Sequence, residues 1–228
     1  MKHKLHIIHE DKALLVIDKP AGLLSIATEH ERGLGASANT AYRLMNDYVK
    51  AKHKSNKIWI VHRLDRDTSG VMLFAKSEQA KLKLQENWEE AAVAREYVAV
   101  VSGAVNPPQG QIKSWLKENK AIKVYSSGRE GDGKLAITDY RTLAKSRRFT
   151  LLAVELQTGR KNQIRVHLSE RGHPVLGDKK YGESKSNPLG RLALHASALS
   201  VIHPTTRELM RFEAQIPACF LKGFPTDN

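Results

Sequence analysis

The sequence predicts an α+β protein with a central, mostly antiparallel β-sheet and flanking helices. Segments of strand length outnumber the helical patterns, and many of them follow one another through short turns rich in Gly, Pro or small polar residues. Strands joined by such short turns pair antiparallel. No repeat, low-complexity linker or compositional break divides the 228 residues. We therefore expect a single domain over residues 1–228, with two lobes around an active-site cleft.

The segment from residue 5 to the helix that begins at Ser77 contains one predicted hairpin and two predicted helices. Residues 5–18 alternate between apolar arms and a charged tip, which indicates strand, turn and strand. Residues 27–39 are rich in Gly, Ser, Ala and charge, which is typical of a mobile loop. Residues 40–52 carry apolar side chains at helical spacing. A further helix is expected from Ser77, because Ser is a favourable N-cap residue.

The remainder is a series of strands interrupted by one helix. Period-two alternation and flanking turn residues identify the strands, and a closing glycine, Gly172, identifies the helix end. The predicted segments are a strand at 95–101, a hairpin region at 110–134, strands at 136–143 and 149–156, a helix ending at 171, and strands at 191–202 and 208–216.

A short charged loop lies between two apolar runs near residue 65, and its chemistry allows several interpretations. Asp65 and Asp67 could share a Mg²⁺ ion, as in a nuclease. The flanking Arg63 and Arg66 would compete with a metal, so an ionised Asp65 suits nucleophilic or general-base work better. Asp65 could also simply cap the loop through backbone amides.

The composition indicates a polyanionic partner. Lys and Arg number 37 against 24 Asp and Glu, a formal net charge of +13 spread along the whole chain, which is typical of nucleic-acid binding. Cys219 is the single cysteine, which excludes an internal disulfide and suits a reducing compartment. No secretory signal or membrane-length apolar run is present, so we expect a cytoplasmic protein without membrane contact.

No motif for a bound cofactor or metal occurs in the sequence. A phosphate-binding glycine loop, a zinc-binding helix with two histidines and a dinucleotide fingerprint are all absent from the chain. We therefore expect neither a cofactor nor a metal ion.

Several motifs in order resemble those of the RluA family of pseudouridine synthases. The stretch HRLDRDTSG matches the HRLDxxTSG signature of that family in full. Companion motifs are VIDKPAGLL at 16–24, REYVA at 95–99, TGRKNQIRVHL at 158–168, GHPVLGDKKYG at 172–182 and RLALHASAL at 191–199. The resemblance implies the pseudouridine synthase fold and the isomerisation of uridine in RNA without cofactor or metal.

The resemblance also implies catalytic roles for three residues. Asp65 would be the essential carboxylate, which either attacks C1′ or removes the 2′ proton; the sequence leaves both possibilities open. Tyr97 would stack on the flipped uracil and assist proton removal from C5. Arg165 would pair with Asp65 and keep it ionised in a site that excludes water.

Other residues are expected to bind the substrate. Arg63 is the candidate for filling the vacated place in the RNA stack, because a guanidinium stacks on bases. Leu194 would form part of the apolar wall under the base, and His62 and Thr68 would contribute to RNA binding. Asn162 departs from the family pattern, which often has His at this position.

The sequence further resembles the short members of the family, without an N-terminal S4 domain. The catalytic domain would then recognise RNA itself, as a monomer, because RNA must reach the cleft. We expect a stem-loop of ribosomal RNA, transfer RNA or both to be the substrate. The alternatives are a non-catalytic RNA-binding or ribosome-assembly protein, and a Mg²⁺-dependent nuclease that uses Asp65 and Asp67.

Overall fold

The computed structural model describes residues 5–27, 39–86, 88–182, 187, 189–222 and 224. The chain forms two compact units, of which the first comprises Met1–Val93 and Ala198–Gln215 and the second comprises Ala94–Ser197 and Ile216–Asn228. The loop predicted at 27–39 falls, apart from its two end residues, outside the described residues. The assignment of a single domain stays a prediction.

The described elements follow the order expected from the sequence. They are β1 (His6–Glu10), β2 (Leu14–Lys19), α1 (Ala41–Lys52), β3 (Trp59–Ile60), β4 (Ser69–Ala75), α2 (Glu78–Glu86), α3 (Trp88–Ala91), β5 (Ala94–Ser102), β6 (Gln109–Glu118), β7 (Val124–Ser127), β8 (Lys134–Lys145), β9 (Phe149–Leu156), α4 (Gln163–Glu170), β10 (Leu194–Ile202), β11 (Leu209–Glu213) and α5 (Ala218–Leu221). The predicted strands and helices are confirmed. Among the described residues, no helix has the length and apolar character needed to cross a membrane.

The first unit is built on the antiparallel strands β1, β2 and β4. Strand β2 pairs with both β1 and β4, and the two residues of β3 pair with the end of β4. From Ala198 onward, β10 pairs antiparallel with β11. All seven residues of β4 are buried, as are the apolar residues of β2, so these two strands form the core of the unit. This explains why the sequence shows continuous apolar runs there.

A single carboxylate ties helix α1 to this sheet. Glu10 accepts hydrogen bonds from Tyr48 Oη at 2.9 Å, Lys52 Nζ at 2.8 Å and Lys76 Nζ at 2.9 Å. Partial burial alone would raise the pKa of Glu10, but these three donors outweigh it and lower the pKa to about 2. Glu10 therefore stays ionised over the whole physiological range.

The second unit contains an antiparallel sheet in the order β5-β9-β8-β6-β7. Its register places Tyr97 opposite Val154, and Val154 opposite Tyr140. Helix α4 is anchored to β8 by Gln163, whose Nε2 donates to Ile137 O and Thr138 Oγ1 at 2.9 Å each. This anchoring fixes the position of the helix that carries Arg165.

Candidate active site

The backbone on both sides of Asp65 is held by Lys19 of the VIDKPAGLL motif and by Ser25 directly after that motif. Ser25 Oγ donates to Leu64 O at 2.6 Å, and Leu64 N donates to the same hydroxyl at 3.1 Å. On the other side, Arg66 O accepts from Lys19 Nζ at 3.0 Å. The half-buried Asp65 thus lies on a short segment between two fixed points. The segment at 16–25 thus positions the carboxylate that the HRLDRDTSG stretch supplies.

Lys19 is the central residue of this anchor. It is 0 % exposed, which is rare for a lysine because burying an ammonium group is costly unless it is fully hydrogen-bonded. Besides Arg66 O, its Nζ donates to the carbonyls of Pro20 at 3.0 Å and Leu23 at 2.7 Å. Gly22 N also donates to Arg66 O at 2.9 Å. The cation therefore joins the two loops through main-chain oxygens.

His62 links the start of the Asp65 loop to the buried strand that follows it. Its Nε2 accepts a hydrogen bond from Leu73 N at 3.0 Å. Its ring stacks on Trp88 with 5.1 Å between the ring centroids and 20° between the planes. These contacts hold the imidazole plane, and they occupy Nε2. The role of His62 in RNA binding stays a prediction.

The other predicted residues of this loop differ in exposure. Arg63 is exposed, and it forms no hydrogen bond or ion pair with any residue that the structure describes. Thr68 is 2 % exposed, and its amide closes a turn onto Asp65 O at 3.2 Å. An exposed guanidinium can reach an RNA partner, whereas a buried threonine is suited to shaping the loop.

In the second unit, the guanidinium of Arg165 is held in a fixed plane. Its Nε donates to Asp178 Oδ2 at 2.7 Å and its Nη2 to Asp178 Oδ1 at 2.8 Å. The Tyr181 ring lies 5.2 Å from the guanidinium carbon, which is cation–π distance. Such a bidentate pair restricts the orientation of the group as well as its position.

Asp178 is the partner that makes this arrangement possible. Its side chain is 0 % exposed, and it also accepts hydrogen bonds from Lys180 N at 2.9 Å and Tyr181 N at 3.0 Å. Burial alone would raise the pKa of Asp178, but hydrogen bonding and charge from Arg165, with the two amides, hold the pKa below its ordinary value. The carboxylate therefore stays ionised opposite Arg165.

Asn162, the departure from the family pattern, belongs to the same network. It adopts the left-handed conformation, with φ 56°, directly before α4, and asparagine tolerates this conformation better than most residues. Its Oδ1 accepts from Tyr181 Oη at 3.2 Å, and the same hydroxyl accepts from Val124 N at 3.1 Å. Asn162 thus joins the helix start to the Tyr181 ring.

A buried histidine of α4 ties this helix to strands β8 and β6. His167 is 1 % exposed, and its ring nitrogens lie 2.9 Å from Thr138 Oγ1 and 2.9 Å from Ser114 Oγ. Burial lowers the pKa of His167 to about 4, so the ring is neutral near pH 7. A neutral ring can accept from one hydroxyl and donate to the other.

Tyr97 and Leu194 belong to the second unit and contact its core. Tyr97 is half-buried on β5 and packs against the apolar cluster that includes Leu194. Leu194 is 3 % exposed at the start of β10. Tyr97, Arg165 and Leu194 thus lie in the second unit, whereas Asp65, Arg63, His62 and Thr68 lie in the first. The pairing of Arg165 with Asp65 stays a prediction.

Sequence reasoning missed Lys19, Ser25 and Asp178 as individual residues, although all lie in or beside motifs it identified. Ser25 lies between Leu24 and Ile26, but Lys19 follows Asp18 and Asp178 precedes Lys179. These three side chains therefore share no local pattern that would signal their buried contacts. No group of three or more His, Cys, Asp or Glu side chains in the described part of the chain is arranged to hold a metal ion. The nuclease interpretation therefore has no complete donor set there.

Comparisons with known proteins agree with the motifs. Residues 13–170 match the family model described as RNA pseudouridylate synthase. An uncharacterized RNA pseudouridine synthase of Bacillus subtilis is 36% identical over 220 residues, which cover 94% of this chain and 70% of that protein. The ribosomal large subunit pseudouridine synthase D of Pasteurella multocida is 32% identical over 231 residues, which cover 96% of this chain and 69% of that protein.

Two solved structures share the fold. Human RNA Pseudouridylate Synthase Domain Containing 4 is similar with a TM-score of 0.78 and 24% sequence identity, over 98% of this chain and 95% of that chain. Human RNA Pseudouridylate Synthase Domain Containing 1 is similar with a TM-score of 0.74 and 22% identity, over 96% and 89% of the two chains.

Proposed function

Because the chain belongs to the RNA pseudouridylate synthase family, as its motifs predict, we propose that Asp65 is the carboxylate that isomerises a uridine in a structured RNA. The chain is an isomerase that acts on RNA, and it has the α+β fold of that family. The observation that carries the role of Asp65 is its anchorage, since the carbonyl groups of both neighbouring residues, Leu64 and Arg66, are held by the buried side chains of Ser25 and Lys19. Fixed geometry of this kind is what a reacting carboxylate needs.

The reaction rearranges one nucleotide and adds no atoms. The bond between C1′ and N1 breaks, the uracil turns, and a new bond joins C1′ to C5. The C5 proton is then lost, and N1 takes up a proton. Asp65 either attacks C1′ and is later displaced, or removes the 2′ proton and later returns it. Both routes require an ionised carboxylate.

The residues of the second unit complement this chemistry. Tyr97 stacks on the flipped uracil and assists removal of the C5 proton, while Leu194 supports the base from below. Arg165 is the counter-ion of Asp65. Its two hydrogen bonds to Asp178 hold the plane of the guanidinium group in a single orientation. Arg63, which is exposed, takes the place of the extruded base in the RNA stack.

The substrate we propose is a stem-loop, in which extruding a base costs least. Relatives named for the large ribosomal subunit favour ribosomal RNA, with transfer RNA as the other possibility. The net charge of +13 supplies attraction to either. We propose that the protein acts as a monomer in the cytoplasm, with His62 and Thr68 shaping the RNA-binding loop.

The test is release of tritium from RNA that carries uridine labelled at C5, measured with EDTA present. Asp65→Asn should abolish release while the affinity for RNA is retained, because the substitution keeps the shape of the side chain and removes its charge. Asp67→Asn, at an exposed position in the same loop, is the matched control and should retain activity. Turnover by the Asp65→Asn variant would exclude Asp65 as the reacting carboxylate. RNA binding by the wild-type protein without any release would favour the non-catalytic alternative.

A further inference from the structure

A basic groove lies in the second unit beside the start of α4. It has a volume of about 420 Å³ and is lined from three directions: by the end of β6, by the start of β8 and by the turn that precedes α4. Its charged lining residues are Lys117, Glu118, Lys134, Arg160 and Lys161. Four cations therefore face one carboxylate in a groove that the catalytic roles proposed above do not use.

Only part of this positive charge is neutralised by neighbouring residues. Lys161 pairs with Glu118, and Lys117 Nζ lies 2.7 Å from Asp132 Oδ1. Lys134 is exposed and forms no ion pair with a residue in the described ranges. Arg160 donates from Nε to Leu135 O at 2.8 Å, which directs its guanidinium. Four cations stand against Glu118 in the lining and Asp132 beside it, so the groove carries net positive charge, which favours an anionic occupant.

Two glycines, Gly133 and Gly159, line the groove. A Cβ atom at Gly133 would lie 2.8 Å from Leu116 O, so no side chain fits there. A Cβ atom at Gly159 would lie 3.1 Å from Arg95 Nη1. The backbone at both positions is therefore packed closely against its neighbours, which fixes the wall of the groove.

The positive surface continues from the groove along the turn between β6 and β7. Lys120 and Lys123 are exposed on this turn. Lys180 reaches it from the segment after α4, because its Nζ donates to Ile122 O at 2.6 Å. This row of cations extends farther than a single phosphate group, so it suits a polyanion better than one small ion.

We propose that this groove binds backbone phosphates of the RNA strand that flanks the target uridine. The inference rests on the proposed function, because the turn at 159–161 leads directly into the helix that carries Arg165. A strand whose target base lies at Arg165 has its neighbouring phosphates within reach of this turn. The groove contacts phosphates and therefore contributes affinity and placement of the strand, independent of base sequence.

The test measures RNA affinity over a range of salt concentrations for the double variant Lys134→Ala/Lys161→Ala. The dissociation constant should rise about tenfold at low salt, and the slope of log affinity against log salt should fall by about 1.4–1.8, since each phosphate contact contributes about 0.7–0.9. The matched control is Lys12→Ala/Lys54→Ala, at two exposed lysines of the first unit. In this control, the dissociation constant and the salt slope should both change less than in the groove variant. An unchanged slope in the groove variant would refute the proposal.

Two further measurements identify what the groove binds. The loss of affinity should be the same for an RNA in which the target uridine is replaced by cytidine, because phosphates carry no sequence information. A loss confined to the uridine RNA would overturn the proposal. The charge-preserving variant Lys134→Arg/Lys161→Arg should restore the affinity. A mere folding defect in the alanine variant would not predict the expected change in its salt slope.

The catalytic proposal is tested separately from the groove. At saturating RNA, the single-turnover rate of the alanine variant should equal that of the wild type, and a reduced rate with unchanged affinity would contradict a phosphate-binding role. Repeating the binding measurements in the Asp65→Asn background isolates the groove from chemistry. If the wild type formed no pseudouridine at all, the proposed function would fail while the binding comparison still decided the role of the groove.

Discussion

Replacing Asp178 with Asn tests whether the fixed plane of Arg165 is needed for catalysis. Asn retains the oxygen that faces Lys180 N and Tyr181 N, but it sets an NH₂ group against the N–H of Arg165 Nε. The guanidinium then has a buried neighbour without charge. Breaking one partner of a buried ion pair costs about 3–5 kcal/mol. We expect about 3 kcal/mol, the lower end, because the three hydrogen bonds to Oδ1, from Arg165 Nη2, Lys180 N and Tyr181 N, survive.

The same substitution should lower the rate more than the affinity. A catalytic group displaced by about 1 Å can cost about 100-fold in rate, so the single-turnover rate should fall steeply while RNA still binds. The free energy of unfolding is measured by urea denaturation, and the rate under conditions in which the variant is fully folded. The control is Asp132→Asn, whose carboxylate pairs with Lys117 at the surface, and it should leave both quantities unchanged. An Asp178→Asn variant with wild-type rate would show that Asp178 does not orient Arg165 for the reaction.

Three further predictions concern the anchors of the first unit and the turn before Asp178. Because the pKa of Glu10 is lowered from 4.5 to about 2, its stabilising effect is complete above pH 4.5 and lost as the pH falls towards 2. Glu10→Gln should therefore lower the urea midpoint at pH 7 and flatten its decline in acid; an unchanged pH profile would refute this. Lys19→Met leaves buried carbonyls without their donor and should cost at least about 2 kcal/mol in urea denaturation, with a reduced rate of tritium release; wild-type stability would contradict the anchor. Gly177→Ala should destabilise far more than Gly172→Ala, because both have positive φ but only at Gly177 would a Cβ atom meet Arg191 O, at 2.2 Å; equal effects on the melting temperature would argue against a steric cause.

The sequence predicts the elements well because their signals are local. The hairpin of β1 and β2 is encoded by apolar arms and a charged tip, and Asp11 in that tip accepts from the amides of Ala13 and Leu14 at 2.7 Å each. Helix α1 begins after Thr40, whose side chain accepts from Arg43 N. In each case the residues that decide the structure lie within a few positions of one another.

What the sequence could not predict depends on distant partners. Lys19 contacts Arg66 across 47 positions, and Ser25 contacts Leu64 across 39. No local pattern tells which carbonyl a buried ammonium will reach. The division into two units has the same cause: the first unit recruits Ala198–Gln215 from the end of the chain, so no linker with its own composition marks the boundary. The family resemblance located the motifs, but it did not identify Asp178 as the partner of Arg165.

The anchors of the Asp65 loop consist largely of main-chain atoms, and this has a consequence for how the enzyme can diversify. Lys19 and Ser25 bind the carbonyls of Arg66 and Leu64, so these contacts are indifferent to which side chains the loop carries. An exposed position such as Asp67 can therefore be exchanged without moving the carboxylate of Asp65. The surface of the loop can vary while the reacting group keeps its place.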